Sequence, residues 1–379
     1  MKGFAITSKG IEHITALELK ELIRCKNVVK EETVIKFSFK DLIDLCSVCY
    51  KAQSMFRAGL LLTEFTVEKT LKKSVNNIKT ELEKIDLSNW IKTSFIVKCK
   101  RAGKHDFHSV DIAGKVANLI IKKHKNLKTE FDNPDLIFYL YIYNNKGYFG
   151  IDFSGFELAK RQYKIFNHPE SLKGVTGYSL VKESGFTKDK ILIDPFMGSG
   201  VIPIEATLYA TKFPVQYYNK DKLFFTKFDF FKAFEKEFFK GHDSKIIKEK
   251  TNIFGYDFQL RYLKASQKNA KLAGIEKNLN LSKVSVDWLS TKFEKNSVDC
   301  IVTDPPRMSK HKNIPRLRNM YSEFLHQASI ILKKDGVIVL LVKDKELLVE
   351  IAKKHKFKIA KSYLFNQGKE IFNMLKFTK

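Results

Sequence analysis

Apolar positions near the N-terminus switch between two spacings. Gly3-Phe4-Ala5-Ile6-Thr7 reads as a short strand. Ile11, Ile14, Leu17, Leu19, Leu22 and Ile23 then recur at broadly helical spacing. Thr33 to Phe39 alternates as a strand, and Asp41 to Ala52 places Leu42, Leu45, Cys46 and Cys49 on one helical face. Phe56 to Val67 is apolar and β-rich. The order β-α-β-α-β predicts a ferredoxin-like α+β module over 1–65. Over Glu68 to Asn89, Leu71, Val75, Ile78 and Leu82 are spaced as in a helix, and Ser94 to Lys100 reads as a strand. A basic polar loop follows, Arg101 to Ser109, then an amphipathic helix over Asp111 to His124. Asn133-Pro134-Asp135 is a turn, and Leu136–Tyr143 with Tyr148–Phe153 form a hairpin. Together these predict a second α+β module over 66–155. Residues 156–186 are polar, broken by Gly and Pro, and read as a connector. From Ile191 strand and helix alternate to the end, which predicts a doubly wound α/β domain over 187–379.

Composition narrows the class. A length of 379 residues suggests roughly two or three domains. With 44% apolar and 13% aromatic residues there is enough to bury real cores. No apolar run approaches the ~18 residues of a membrane span. The N-terminal MKGFAITSKGIEH has no secretory h-region, so a cytoplasmic location is expected. Five Cys make no disulfide framework. Cys46-Ser47-Val48-Cys49 has zinc-like spacing without a second pair, so it reads as core packing and no metal is expected. The formal charge is +26, which favours a polyanionic partner. Only eight basic residues are Arg, and the Lys excess also fits an AT-rich genome. The few Arg therefore stand out, because the guanidinium fork suits phosphate and base edges.

The chemistry gathers at strand ends. Ile191-Leu192-Ile193 runs into Asp194-Pro195-Phe196-Met197-Gly198-Ser199-Gly200, and Val201 opens a helix. A strand, a glycine turn and a helix N-terminus make a ligand site. The third dinucleotide glycine is missing, and Asp194 would repel a pyrophosphate, so a nicotinamide dehydrogenase is disfavoured. A carboxylate there suits a cationic or amine-bearing ligand. Asn252 to Asp257 is a second strand ending in an acid, placed to accept from a ribose diol. Its distance from the turn comes from an insertion over 211–249 rich in Phe and Lys. Within it, Phe224 to Lys240 reads as an amphipathic helix packed on the C-terminal domain, ahead of a nucleic-acid surface. Lys283 to Trp288 reads as a third strand ending in an acid, with Asp287 placed for an adenine amino group. Val298 to Thr303 is a buried-type strand that ends at Asp304-Pro305-Pro306-Arg307. Two prolines fix the backbone there. The Pro305 carbonyl and the Asp304 carboxylate are rigid acceptors that can orient an exocyclic amine toward an electrophilic methyl group.

These residues carry a family resemblance. Asp194 to Gly200 through Pro203-Ile204-Glu205-Ala206, Asp257 with Asn269 to Gly274, and Asp304-Pro305-Pro306 resemble the class I S-adenosylmethionine-dependent RNA methylases. Arg161-Gln162-Tyr163-Lys164 and His168 to Lys173 resemble their connector. Phe95 to Arg161, with Asn133-Pro134-Asp135 and Gly150-Ile151-Asp152, resembles the THUMP RNA-binding domain, and the N-terminal unit resembles the ferredoxin-like domain that precedes it. The layout is most similar to tRNA guanine-N2 methyltransferases that modify the sixth nucleotide, in the acceptor stem. Close relatives act on the tenth nucleotide or on 23S rRNA.

The resemblance implies that Asp194, Gly198 and Gly200 line the methionine moiety, Asp257 the ribose and Asp287 the adenine. Leu172, Lys173, Phe196, Ser199, Phe258, Trp288 and Asp304 are also expected against the cofactor. Asp304, Pro305, Pro306 and Arg307 are the expected catalytic group. Arg307 stands where the family usually has an aromatic that stacks on the target base, and its guanidinium plane can stack as well. Asp-Pro-Pro-Arg also resembles the C5-uridine methyltransferases, but no Cys follows the motif, so their nucleophile is missing. Expected RNA contacts are Arg101, Lys104, His105 and His108 in the basic loop, Arg161 in the connector, and Arg316 and Arg318 with His311 past the catalytic motif. A solvated loop and an exposed helix start remain the plain alternatives for the loop and for the last group. The partner is tRNA, and a chain with its own RNA-binding domain is expected to act as a monomer. The rival reading is a non-catalytic RNA-binding relative.

Overall fold

The computed structural model describes residues 1–379 except 168, 171, 308–313 and 369. It falls into two compact units. The first holds residues 1–7, 16–158 and 219–236; the second holds 8–15, 159–218 and 237–379.

The first unit is built on one eight-stranded sheet. Its strands are β1 (Lys2–Ile6), β2 (Val28–Glu31), β3 (Val34–Ser38), β4 (Arg57–Thr66), β5 (Ser94–Ala102), β6 (Lys128–Thr129), β7 (Leu136–Tyr143) and β8 (Lys146–Asp152). Helices α1 (Glu12–Ile23), α2 (Leu42–Lys51), α3 (Leu71–Glu83) and α4 (Ser109–Lys123) complete the chain to that point. The strand order is β2-β3-β1-β4-β8-β7-β5-β6. Residues 1–65 thus supply a βαββαβ pattern, with β2 the strand that the apolar spacing did not announce. The strands of 1–65 and 66–155 join in a single sheet, because β4 pairs antiparallel with β8 from Gly59↔Asp152 to Thr66↔Lys146. Cys46 and Cys49 are fully buried on α2, and their thiols are raised chiefly by burial, so they are inert core residues.

The second unit carries a seven-stranded sheet. Its helices begin with α5 (Gly174–Glu183) and α6 (Val201–Ala210). Residues 219–236, with the short α7 (Asp229–Lys232), then belong to the first unit. This corrects the expected placement of residues 224–236; residues 237–240 fall in the second unit, as expected. Phe224 and Phe225 donate their N–H groups to the carbonyls of Ser154 and Phe153, and Phe228 packs on Trp90 and Phe153. Phe224, Phe225, Phe228 and Phe231 are buried, as the sequence suggested, but within the first unit, on a 3-10 turn and at the short α7.

After α8 (Glu235–Asp243) come α9 (Leu260–Leu272), α10 (Ile314–Ile331) and α11 (Glu346–Lys354). The strands are β9 (Leu192–Asp194), β10 (Ile253–Asp257), β11 (Asn280–Lys283), β12 (Val298–Thr303), β13 (Leu332–Val342), β14 (Lys358–Gln367) and β15 (Glu370–Thr378), in the order β11-β10-β9-β12-β13-β15-β14. Neighbours from β11 to β13 are parallel, and β15 inserts antiparallel between β13 and β14. The chain leaves β9 toward β10 and β11 on one side and returns as β12 on the other. Ligands bind beyond the carboxyl ends of strands at such a reversal. One strand differs from expectation. Residues 283–288 do not extend as a strand; β11 ends at Lys283 and Val286–Thr291 coils as a 3-10 helix.

Candidate active site

The reversal brings Asp194, at the end of β9, beside the end of β12. Asp194 is almost fully buried. Its carboxylate accepts from the Thr303 hydroxyl at 2.6 Å and from the Phe196 N–H at 3.1 Å. Burial, above all, pushes its carboxyl up to about 8; the two hydrogen bonds oppose this and the nearby charges of Asp304 and Asp257 add to it. The turn that follows needs its glycines. Gly198 and Gly200 sit at φ 52° and 84°, and a Cβ on Gly200 would lie 2.7 Å from Ser266 Cβ. The Gly198 N–H donates to Asp257 at 3.2 Å, and Asp257 also accepts from Gln259 N–H at 2.9 Å. The end of β10 is thereby tied to the glycine turn.

A cavity of about 970 Å³ opens over these strand ends. Of the expected cofactor residues, Leu172, Asp194, Phe196, Gly198, Ser199, Asp257, Phe258, Asp287 and Asp304 line it. Gly200, Lys173 and Trp288 are not among the described lining residues. Gly200 caps α6, Lys173 donates its N–H to Gln367 in β14, and Trp288 is 61% exposed. Asp287 reaches the wall from the first turn of a 3-10 helix rather than from a strand end. Pro169 and Glu170 line the wall from the connector run that the resemblance sets near the cofactor; Tyr262, Val284, Asn319 and Glu323 also line it, and the sequence singled out none of these four for the site. His168 and Ser171 in the connector, and His311, lie outside the described residues.

The wall is acidic. Among the described lining residues stand six carboxylates, Glu170, Asp194, Asp257, Asp287, Asp304 and Glu323, against one cation, Arg316. A chain of net charge +26 has placed a carboxylate-rich pocket at its strand ends. That donor set fits a ligand with a sulfonium or ammonium group and opposes a pyrophosphate.

The catalytic motif departs from its expected arrangement. Asp304 and Pro306 line the cavity, whereas Pro305 and Arg307 are not among the described lining residues. Arg307 does not offer a base-stacking plane to the pocket. Its Nη2 donates to both Asp304 oxygens, at 2.7 and 2.6 Å, and its guanidinium lies 4.5 Å over the Phe372 ring. Tyr321 on α10 donates its hydroxyl to the Pro306 carbonyl at 2.6 Å.

The expected RNA contacts divide. Arg161 is corrected: its side chain is 1% exposed and forms a two-pronged pair with the fully buried Glu205, at 2.7 and 3.0 Å. Tyr163 donates to the same carboxylate at 2.7 Å. Arg161 therefore anchors the connector to α6, and no face of it is left for RNA. Arg161→Ala should lower stability by about 3–5 kcal/mol, because Glu205 would keep a buried charge without its partner. Denaturant unfolding of the two proteins checks this. Asn269, fully buried on α9, adds a second anchor, donating to the carbonyls of Phe166 and Ser199 at 2.8 and 2.9 Å.

In the basic loop, His105 spends both nitrogens locally, on Arg101 and on the Asn144 carbonyl, and Arg101 also lies over Phe107. Lys104 and His108 are exposed, with His108 at the start of α4. Arg316 lines the cavity, but Arg318 is turned to Glu350 on α11, at 2.8 and 3.2 Å. Among the described residues no His, Cys or acid cluster could hold a metal ion, and no helix is long and apolar enough to cross a membrane.

Comparison with known proteins agrees with this architecture. The tRNA (guanine(6)-N2)-methyltransferase of Methanocaldococcus jannaschii is 27% identical over 96% of this chain and 96% of its own. The ribosomal RNA large subunit methyltransferase K/L of Photobacterium profundum is 24% identical over 84% of this chain and 45% of its own. A solved structure of a putative methyltransferase complexed with SAH superposes with a TM-score of 0.81 at 19% identity, over 100% of this chain and 97% of that one, which shows a common fold. A THUMP domain model matches residues 72–152, and the model of the RMKL-like methyltransferase domain, UPF0020, matches residues 161–371. With the glycine turn, the strand-end acids and more than half of its length matched in this way, the chain belongs to the RMKL-like family of S-adenosylmethionine-dependent methyltransferases, with a THUMP domain ahead of the catalytic one.

Proposed function

We propose that the protein transfers a methyl group from S-adenosylmethionine to the exocyclic N2 amine of a guanosine in tRNA, the sixth nucleotide in the acceptor stem. The end-to-end likeness to a tRNA (guanine(6)-N2)-methyltransferase carries this reading, since it spans the N-terminal and THUMP regions as well as the catalytic unit. The likeness to ribosomal RNA methyltransferase K/L favours a second reading, a 23S rRNA guanosine; the tenth tRNA nucleotide is a third target. The enzyme acts as a monomer in the cytoplasm.

When bound, S-adenosylmethionine supplies an electrophilic methyl group on a sulfonium. Asp194 and Asp257 hold the cationic and ribose portions of that ligand, and the 194–200 turn keeps both acids in register. Asp304, which lines the cavity, accepts an N–H of the guanine amine and so fixes where its lone pair points. Asp304 then takes the proton that the amine sheds. Lys104, His108 and Arg316 remain as RNA contacts. The rate gain comes mostly from placement rather than from a strong base.

The test uses labelled cofactor with unmodified tRNA from the host, followed by digestion to nucleosides. Label is expected in N2-methylguanosine; no label with intact tRNA binding overturns the reading. Mapping the labelled nucleotide separates the sixth position from the tenth, and a parallel arm with ribosomal RNA tests the second reading. Binding should also respond unequally to salt. Between 50 and 200 mM salt the tRNA affinity should fall by at least about a hundredfold as condensed counterions lose their drive. Cofactor affinity should change by less than about threefold, because its charge pairs lie within the cavity. Fluorescence titrations at both salts check the contrast.

A further inference from the structure

Asp304 and Arg307 form an ion pair across two prolines. Pro305 and Pro306 fix φ between the partners, so the pair forms with little backbone entropy to lose. Each side chain is only 12% exposed, which sets the pair apart from a solvent-screened surface contact. Nη2 reaches both carboxylate oxygens, and Nε lies 3.2 Å from Oδ1. The acid held in this grip also lines the cavity. The guanidinium in turn rests on Phe372, which is fully buried on β15. Tyr321 holds the Pro306 carbonyl of the same turn from α10.

From this geometry we infer that Arg307 is a positioning residue, which aims the Asp304 carboxylate into the cavity and is itself held in place by the Phe372 ring. It acts through Asp304 and does not touch the target base. The inference rests on the role proposed above for Asp304 in methyl transfer, but not on which base is methylated. Its force comes from distance: a carboxylate displaced by about 1 Å from its acceptor geometry costs on the order of a hundredfold in rate.

The experiment measures transfer of labelled methyl groups to total unmodified host RNA, whatever nucleoside receives them. Arg307→Ala should lower kcat by about a hundredfold, while affinities for S-adenosylmethionine and tRNA stay within about twofold. Arg307→Lys should stay within about tenfold of the parent, since it keeps a cation near the acid. Added guanidinium should restore part of the Arg307→Ala rate. Phe372→Leu should give a smaller loss of the same kind, and thermal melts confirm that each variant is folded. Arg307→Ala turnover within threefold of the parent overturns the inference. So does a kcat loss matched by an equal loss of cofactor or tRNA affinity, or failure of both Lys and guanidinium to restore rate. Label in a nucleoside other than N2-methylguanosine overturns the guanine reading alone; a parent protein that labels no RNA overturns both.

Discussion

Asp304→Ala is expected to lower methyl transfer by at least about a thousandfold while cofactor affinity changes by no more than a few-fold. The argument begins at the end of β12. The strand is fully buried over Ile301 to Thr303, so its direction is fixed by the sheet, and two prolines carry that direction into the turn. Asp304 is therefore a rigid acceptor. In the role proposed above, removing it takes away the group that orients the amine and receives its proton, and it also releases Arg307 from its ion pair. The Ala variant thus loses both the acceptor and the geometry that Arg307 maintains. Asp304→Asn keeps an acceptor oxygen but gives up the charge that binds the guanidinium, so its loss should be smaller, about a hundredfold. Single-turnover transfer with calorimetric cofactor binding measures both quantities. Turnover of the Ala variant within tenfold of the parent would show that the acid has another role.

Asp194→Asn is expected to weaken S-adenosylmethionine by about a hundredfold and to remove most of the pH dependence of its binding. Asp194 is buried, and its carboxyl is pushed up to about 8, so it is largely protonated at neutral pH before a cation binds. A cationic ligand binds the ionised form, and below pH 8 binding must expel that proton. Affinity should rise as pH climbs from 6 toward 8, by at most about tenfold per unit, and then level. The Asn variant has no proton to expel and should be nearly flat. Stability follows the same linkage with opposite consequence. A folded-state pKa raised above the unfolded one favours the fold most at low pH. That contribution is lost as pH rises through about 8. The melting temperature of Asp194→Asn relative to the parent should therefore increase between pH 6 and 9. Titration calorimetry and melts across that range check both signs, and an unchanged difference across pH would refute the assignment.

The strand-end acids were legible because their signals are local. Each of Asp194, Asp257 and Asp304 closes a short apolar run, and parallel neighbours at a chain reversal necessarily bring such ends together. Residues 283–288 were harder. Val284 and Val286 alternate as in a strand, but Val286 and Leu289 are both buried three apart, the period of the 3-10 helix that forms. The Phe-rich insertion declared that it would be buried, but not what would cover it; Trp90 and Phe153 come from far earlier in the chain. Arg161 looked like a phosphate contact because its partner is 44 residues away. Arg307 was misplaced for the same reason: its acid was visible three residues upstream, but the Phe372 ring that fixes its plane was not.

The surplus of carboxylates around the cavity also bears on how the enzyme clears itself after each cycle. When bound, S-adenosylmethionine would carry a sulfonium between those walls and its spent form would be a neutral thioether, while the proton shed by the amine would, on the role proposed for Asp304, neutralise one wall charge. The same residues that concentrate the reactant thus lose part of their hold on the spent form at the moment of reaction. An RNA phosphate meets repulsion from these walls, so the uncharged base is the part of the nucleotide best suited to enter. Reactant capture, product discharge and exclusion of the backbone then draw on one electrostatic arrangement, which makes inhibition by the thioether a sensitive gauge of any wall residue that is neutralised.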